Sequence, residues 1–262
     1  AATRRADLDP DVGRAERLGD GPGHRHQLLL RGVAALEALG QPGEALQYLG
    51  HEKAQPGAFV TALAIALSFK PWRLLANTAL ISPLLAALVI TPWLWALPWL
   101  HHMPISLQLS GACLIGLALG WPLAVPVLCA VALITGLIAP ISLAEQIDMA
   151  LWLGIVPATL SFGLGMALRR WVSKNLFVYI LGRAFLGTAL CMFASGALAH
   201  WTGHALAATV EPELALVARW LIAWGDAFMT GMMAAICVAF RPQWLATWSD
   251  RLYVAPPAPP AA

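Results

Sequence analysis

From Gly57 to Phe240 the sequence consists of long apolar runs broken by short polar punctuation. Charges, prolines and histidines mark the ends of seven stretches, at 57–69, 75–99, 105–119, 121–140, 149–168, 177–200 and 213–240. A membrane-spanning helix needs about 20 apolar residues. Between Arg73 and Glu145 there are 71 consecutive residues without Asp, Glu, Lys or Arg. The pattern predicts an all-α fold, a polytopic membrane helix bundle with six or seven transmembrane helices. The count turns on the first stretch, because the uncharged run from Ala54 to Phe69 has only 16 residues and includes Pro56 and Gly57. The third and fourth stretches meet at Gly120, Trp121 and Pro122. They either cross the bilayer separately or fold back as a re-entrant hairpin.

The polar connections add a direction. Lys70 and Arg73 follow the first stretch, His101 and His102 the second, and Glu145 and Asp148 the fourth. Arg169, Arg170 and Lys174 follow the fifth, Glu211 and Glu213 precede the last helix, and Arg241 and Arg251 come after it. The basic connections therefore share one side, which the positive-inside rule makes cytoplasmic, so the C-terminus is expected inside. Tryptophans 72, 93, 95, 99, 121, 171, 201 and 244 stand near the expected span ends, where indoles favour the headgroup level. Gly116 with Gly120, and Ser161 with Gly165, are small-residue pairs expected to let helices approach closely.

Composition changes the picture in one respect. The chain is 59% hydrophobic and 11% charged, against about 25% charged in an ordinary soluble domain, which excludes a soluble globular enzyme. The first 56 of the 262 residues nevertheless hold 7 Lys/Arg and 8 Asp/Glu. The chain thus divides into three parts: a polar segment at 1–56, a helix bundle at 57–254 and a Pro/Ala-rich tail at 255–262. The polar segment reads as disordered, or as a helical hairpin over 27–50 with Leu29, Val33, Leu36 and Leu39 on one face. The tail "APPAPPAA" reads as an extended spacer. Net charge is +2 and no basic cluster is interleaved with aromatics, so a nucleic-acid partner is not expected. Cys113, Cys129, Cys191 and Cys237 lie in apolar runs and read as small buried hydrophobes, not as a disulfide framework.

Against this background a few residues carry candidate chemistry. Asp226 lies deep in the last apolar stretch, where a carboxylate is costly and serves an ion path, a proton relay or a helix–helix bond. Met229, Met233 and Cys237 repeat at four-residue spacing on that helix, a face that suits either a soft ion or plain packing. His101 with His102, and His200 with His204, stand at expected outer ends as either divalent-metal ligands or ordinary interfacial histidines. These spacings define no metal site. "HEKAQ" at 51–55 lacks the second histidine of a zinc-protease motif. No phosphate-binding loop or nucleophile motif is found, so no catalysis is expected of this chain.

Three runs go further: "LGIVPATLSFGLGMALRR", "KNLFVYILGRAFLGTAL" and "GDAFMTGMMAAICVAFRPQWLATWSDRLY". They resemble the energy-coupling-factor ABC transporter permease family, the CbiM-like membrane components of cobalt and nickel uptake, over roughly residues 70–254. The matching positions are Asp226 before Phe228, Thr230 and Gly231, the run Asn175–Leu181, and the ending with Arg241, Pro242, Trp244, Thr247, Asp250 and Tyr253. The resemblance implies a substrate-capture component in a bacterial cytoplasmic membrane. Its implied cargo is a divalent transition metal, Co or Ni, and its implied partners are a transmembrane coupling protein and ATP-hydrolysing subunits. Asp226, Thr230 and Gln108 become ion-path candidates. Two departures stand beside it. Gln108, in "ISLQLSG", occupies the place of the family's metal-binding histidine, and no Met-His start is present. An amide is a poor ligand for Ni²⁺ or Co²⁺. The alternative is therefore a membrane scaffold or assembly subunit that keeps the fold without the metal site.

Overall fold

The computed structural model describes residues 57–76, 78–101, 108–172, 175–202 and 212–253. These fall in the unit Ala54–Ala262; the expected segment at 1–56 and the tail at 255–262 lie outside the described residues. Every regular element among the described residues is helical. They are α1 (Gly57–Ser68), α2 (Ile81–Leu100), α3 (Ala112–Leu119), α4 (Trp121–Ile138), α5 (Leu143–Trp171), α6 (Val178–Trp201), α7 (Pro212–Phe240) and α8 (Asp250–Tyr253). Five of them, α2 with its leading turn from Thr78, α4, α5, α6 and α7, are long and apolar enough to cross a bilayer. Their outward faces carry exposed Val89, Ile90, Leu137 and Phe240, the surface a lipid environment accepts. The chain is a multi-pass helical membrane protein.

Two of the seven expected apolar stretches form shorter helices among the described residues. α1 has 12 residues and reaches about 18 Å; α3 has 8 and reaches about 12 Å, against a hydrocarbon core of about 30 Å. α1 packs on α4 and α5 through Ala66, Val125, Cys129, Leu151 and Ile155. α3 poses a sharper question, because α2 and α4 run in the same direction. Thr135 near the end of α4 lies against Pro92 in the second half of α2, Oγ1 to O 3.4 Å, and Ala96 is buried with Ala139 just past α4. The chain between Leu100 and Trp121 must therefore return to the opposite end of the bundle. Its described part is a non-helical stretch, 108–111, followed by α3. The hairpin alternative places Trp121 in mid-membrane, whereas Gly120 sits at the far end, beside Ala246 beyond α7.

Local chemistry explains the irregular turns. Pro157 has no N–H, so α5 is open around its carbonyls. Residues Ala150–Ile155 widen to a π-helix in which Val156 N–H reaches back to Leu151 O. In that register Trp152 O faces Pro157 and has no donor from it; in the α register Leu153 O suffers the same loss. Both are served from outside: Ser195 Oγ of α6 donates to Trp152 O at 2.7 Å, and Ser110 Oγ to Leu153 O at 2.5 Å. A capping box starts α5, with Ser142 Oγ accepting from Glu145 N–H and Glu145 accepting from Ser142 N–H. Gly136 leaves the room that the Gln146 side chain fills.

Small-residue pairing follows the expectation only in part. Ser161 and Gly165 are buried against neighbours. A side chain on Gly116 would meet nothing within 4 Å, so it is not a close-approach site. Gly120 instead supplies a turn at φ +76 between α3 and α4, a conformation glycine adopts without strain. Trp171 and Trp201 are exposed at span ends, but Trp95 is fully buried and is not an interfacial anchor.

The crossing by residues 101–120 predicts a labelling pattern. With the native cysteines replaced, Trp121→Cys and Gln243→Cys react with an impermeant maleimide from one side of sealed vesicles, and Leu143→Cys from the other. Protection of Trp121→Cys from both sides restores the hairpin.

Candidate functional site: a helix break clasped at both ends

A helix that begins inside a membrane leaves its first N–H groups without partners, at several kcal/mol each in hydrocarbon. α3 begins in this situation, at a level set by Trp95 of α2 and Asp226 of α7. The Asp226 carboxylate, 2% exposed, accepts three backbone bonds. Ser110 N–H donates to Oδ1 and Oδ2 at 3.1 and 3.0 Å, and Gly111 N–H to Oδ1 at 3.1 Å. Ser110 Oγ takes the next donor, Ala112 N–H, at 3.0 Å. Gly111 is at φ +65, which turns successive N–H groups toward one acceptor. A carboxylate at the positive end of a helix is stabilised by the helix dipole as well as by these bonds.

α2 holds the other side of the break. Trp95 Nε1 donates to Ser110 O at 2.9 Å, and Gln108 Nε2 donates to Trp95 O at 3.1 Å. Trp95 O lies in the turn loosened by Pro98, whose ring crowds the carbonyl four residues before it. With Leu153 O of α5, four separate parts of the chain meet at Ser110.

The far end of α3 is closed by the segment beyond α7. Ala246 N–H donates to Ala118 O at 2.8 Å and Thr247 N–H to Leu117 O at 3.3 Å. Thr247 Oγ1 also donates to Leu117 O, at 2.8 Å. That hydroxyl has one proton, so the 2.8 Å bond with Tyr179 runs from the Tyr179 OH to Thr247 Oγ1. Arg169 Nη2 donates to Thr247 O at 2.7 Å. Trp248 and Tyr253 stack at 4.8 Å, Tyr179 meets Trp248 edge-on at 4.8 Å, and Trp248 Nε1 donates to Asp250 at 2.7 Å.

Of the ion-path candidates, the structure brings Asp226 and Gln108 to one place, with Thr230 buried a turn further along α7. It does not bring in the histidines. His101 is exposed, and its Nδ1 donates to Leu97 O at 3.1 Å as the cap of α2; His200 is half-buried near the end of α6. His102, His204 and Lys174 lie outside the described residues. Among the described residues no group of three or more His, Cys, Asp or Glu is placed to hold a metal. Met229 and Met233 face the outside of the bundle, 43% and 37% exposed, so they line no path between helices. Arg170 and Arg241 are exposed at the same end as Arg169.

Sequence reasoning missed Ser110, Trp95 and Pro157. The signal for the first was the pair Gly111 and Gly120 around a run of eight residues; nothing local pointed to the other two. No family model, curated protein or solved structure matches the chain.

The clasp makes a quantitative prediction. Asp226→Asn replaces a charged acceptor by an amide whose NH₂ faces backbone donors, and costs roughly 2–3 kcal/mol. Trp95→Phe removes one neutral bond and costs about 1 kcal/mol. Thermal unfolding in mild detergent should rank the two variants in that order; equal loss in both would deny Asp226 its capping role.

Proposed function

We propose that this chain is the membrane-embedded substrate-capture component of an energy-coupling-factor type ABC importer. A transmembrane coupling protein and ATP-hydrolysing subunits would supply the energy, and this chain no catalysis. The observation that supports the reading is the break before α3. Transporters use discontinuous helices to bring polar backbone to mid-membrane, where cargo is held. Here Gln108, Ser110 and Asp226 gather at such a break between α2, α5 and α7. The resemblance adds the cargo class, Co²⁺ or Ni²⁺, the bacterial cytoplasmic membrane and a cytoplasmic C-terminus.

One observation favours a second reading, a non-transporting scaffold or assembly subunit that keeps the fold. The Asp226 oxygens are taken by backbone donors and the Gln108 amide is turned onto Trp95 O, so both candidates act in structure.

Elemental mass spectrometry decides between them. The protein is purified in mild detergent from cells supplied with Ni and Co, as wild type and as Gln108→Ala, which leaves the Asp226 clasp untouched. Capture predicts close to one equivalent of metal in the wild type and its loss in the variant. Metal in neither, with stable co-purification of a membrane complex, supports the assembly reading.

A further inference from the structure

Three exposed cations share one end of the bundle, and each adjoins an exposed aromatic side chain at the end of a helix. They are Lys70 after Phe69, Arg170 before Trp171 and Arg241 after Phe240. Contacts between elements place them at one end. The Phe69 ring meets Trp121 at 6.3 Å, Gly120 before Trp121 lies beside Ala246, and Arg169, next to Arg170, donates to Thr247 O. That bond draws Arg169 itself under the bundle. Asp250, the only carboxylate at this end among the described residues, accepts from Trp248 Nε1 at 2.7 Å, and the charge that remains there is positive.

Lys70 is held under strain. It closes α1 at φ +53, with its N–H on Leu67 O at 3.0 Å. Glycine takes that conformation freely and is the common residue after a helix. A lysine kept in a sparsely populated backbone region points to a use for its ammonium.

We propose that Lys70, Arg170 and Arg241 bind the headgroups of anionic phospholipids around this end of the bundle, so that the chain holds anionic lipid in preference to zwitterionic lipid. Placement favours lipid over a protein that docks end-on. The segment that closes α3 brings buried Leu245 and Trp248 to this end, whereas the three cations stand at the ends of α1, α5 and α7. Aromatic side chains at span ends lie at the headgroup level, so a cation adjoining one stands among the phosphates. Lys and Arg at this level attract anionic headgroups. Being exposed, they need no cavity: the headgroups reach them from the leaflet itself. The positive-inside rule fixes orientation at insertion; lipid preference is a separate, equilibrium property of the folded bundle.

The test uses the full chain reconstituted with brominated phosphatidylglycerol and brominated phosphatidylcholine of the same acyl chains, in competition. Quenching of tryptophan fluorescence gives their relative binding constant. Phosphatidylglycerol should be preferred, and each of Lys70→Gln, Arg170→Gln and Arg241→Gln should lower the preference by up to about fivefold. Arg170→Lys should keep it, because charge is read here and not the shape of the guanidinium. Lys70→Gly should lower the preference as Lys70→Gln does without lowering Tm in an uncharged detergent, which separates lipid binding from a structural role. Raising salt from 0.1 to 1 M shortens the screening length from about 10 to 3 Å and should remove the preference. Equal binding of the two lipids, or a preference that survives the triple substitution or 1 M salt, overturns the proposal. Binding of polyglutamate through the same three cations, with no preference between the lipids, would assign them to an acidic protein partner and overturn it as well.

Discussion

The bundle depends on how the two ends of one short helix are satisfied. Breaking a helix inside a membrane frees N–H groups at one end and carbonyls at the other, with no water to receive them. α3 is such a fragment, and a single stretch of chain closes it at both ends: Asp226 of α7 takes the N–H groups, and residues 246–247 beyond α7 serve the carbonyls. The last spanning helix is thereby fixed to the broken one along its length. α2 and α5 are drawn to the same point through Trp95 and Leu153.

The same rule accounts for the irregularities of the long spans. Pro157 and Pro98 each remove a donor from an otherwise regular helix, and a side chain from another element attends the affected turn. Ser195 and Ser110 serve carbonyls beside Pro157, and Gln108 one beside Pro98. A neutral hydrogen bond adds only about 1 kcal/mol net. An unmet polar group in the bundle costs more than that, so the bonds select this packing by what their loss would incur. Arg183 is the exception in kind, a buried charge seated against Gly165 with Tyr179 and Tyr253 beside it, whose Nε and Nη1 find no hydrogen-bond partner among the described residues.

This bears on function through the residues that carry the family resemblance. Asp226, Tyr179, Thr247 and Tyr253 are the side chains that clasp α3 or buttress the clasp. These positions therefore act in the packing of this chain, and one architecture can host several activities. Under the proposed capture reading, cargo would be met by Gln108 and its neighbours at the break.

Much of the fold was legible from local sequence. Apolar run lengths bounded by charge predicted α4, α6 and α7 to within about two residues and α2 and α5 to within about six, because burying a span in hydrocarbon depends on its own length and composition. Hydropathy also flagged Asp226 as a residue with a job, since a carboxylate there must find partners. It did not reveal which job. Whether that carboxylate meets an ion or two backbone N–H groups depends on Ser110 and Gly111, more than a hundred residues earlier in the chain. Run length could not show that residues 108–111 are not helical, nor that Trp95 points inward. The reason is common to all three: hydrophobic transfer is a sum over neighbouring residues, whereas the pairing of polar groups is settled only when distant helices are placed side by side.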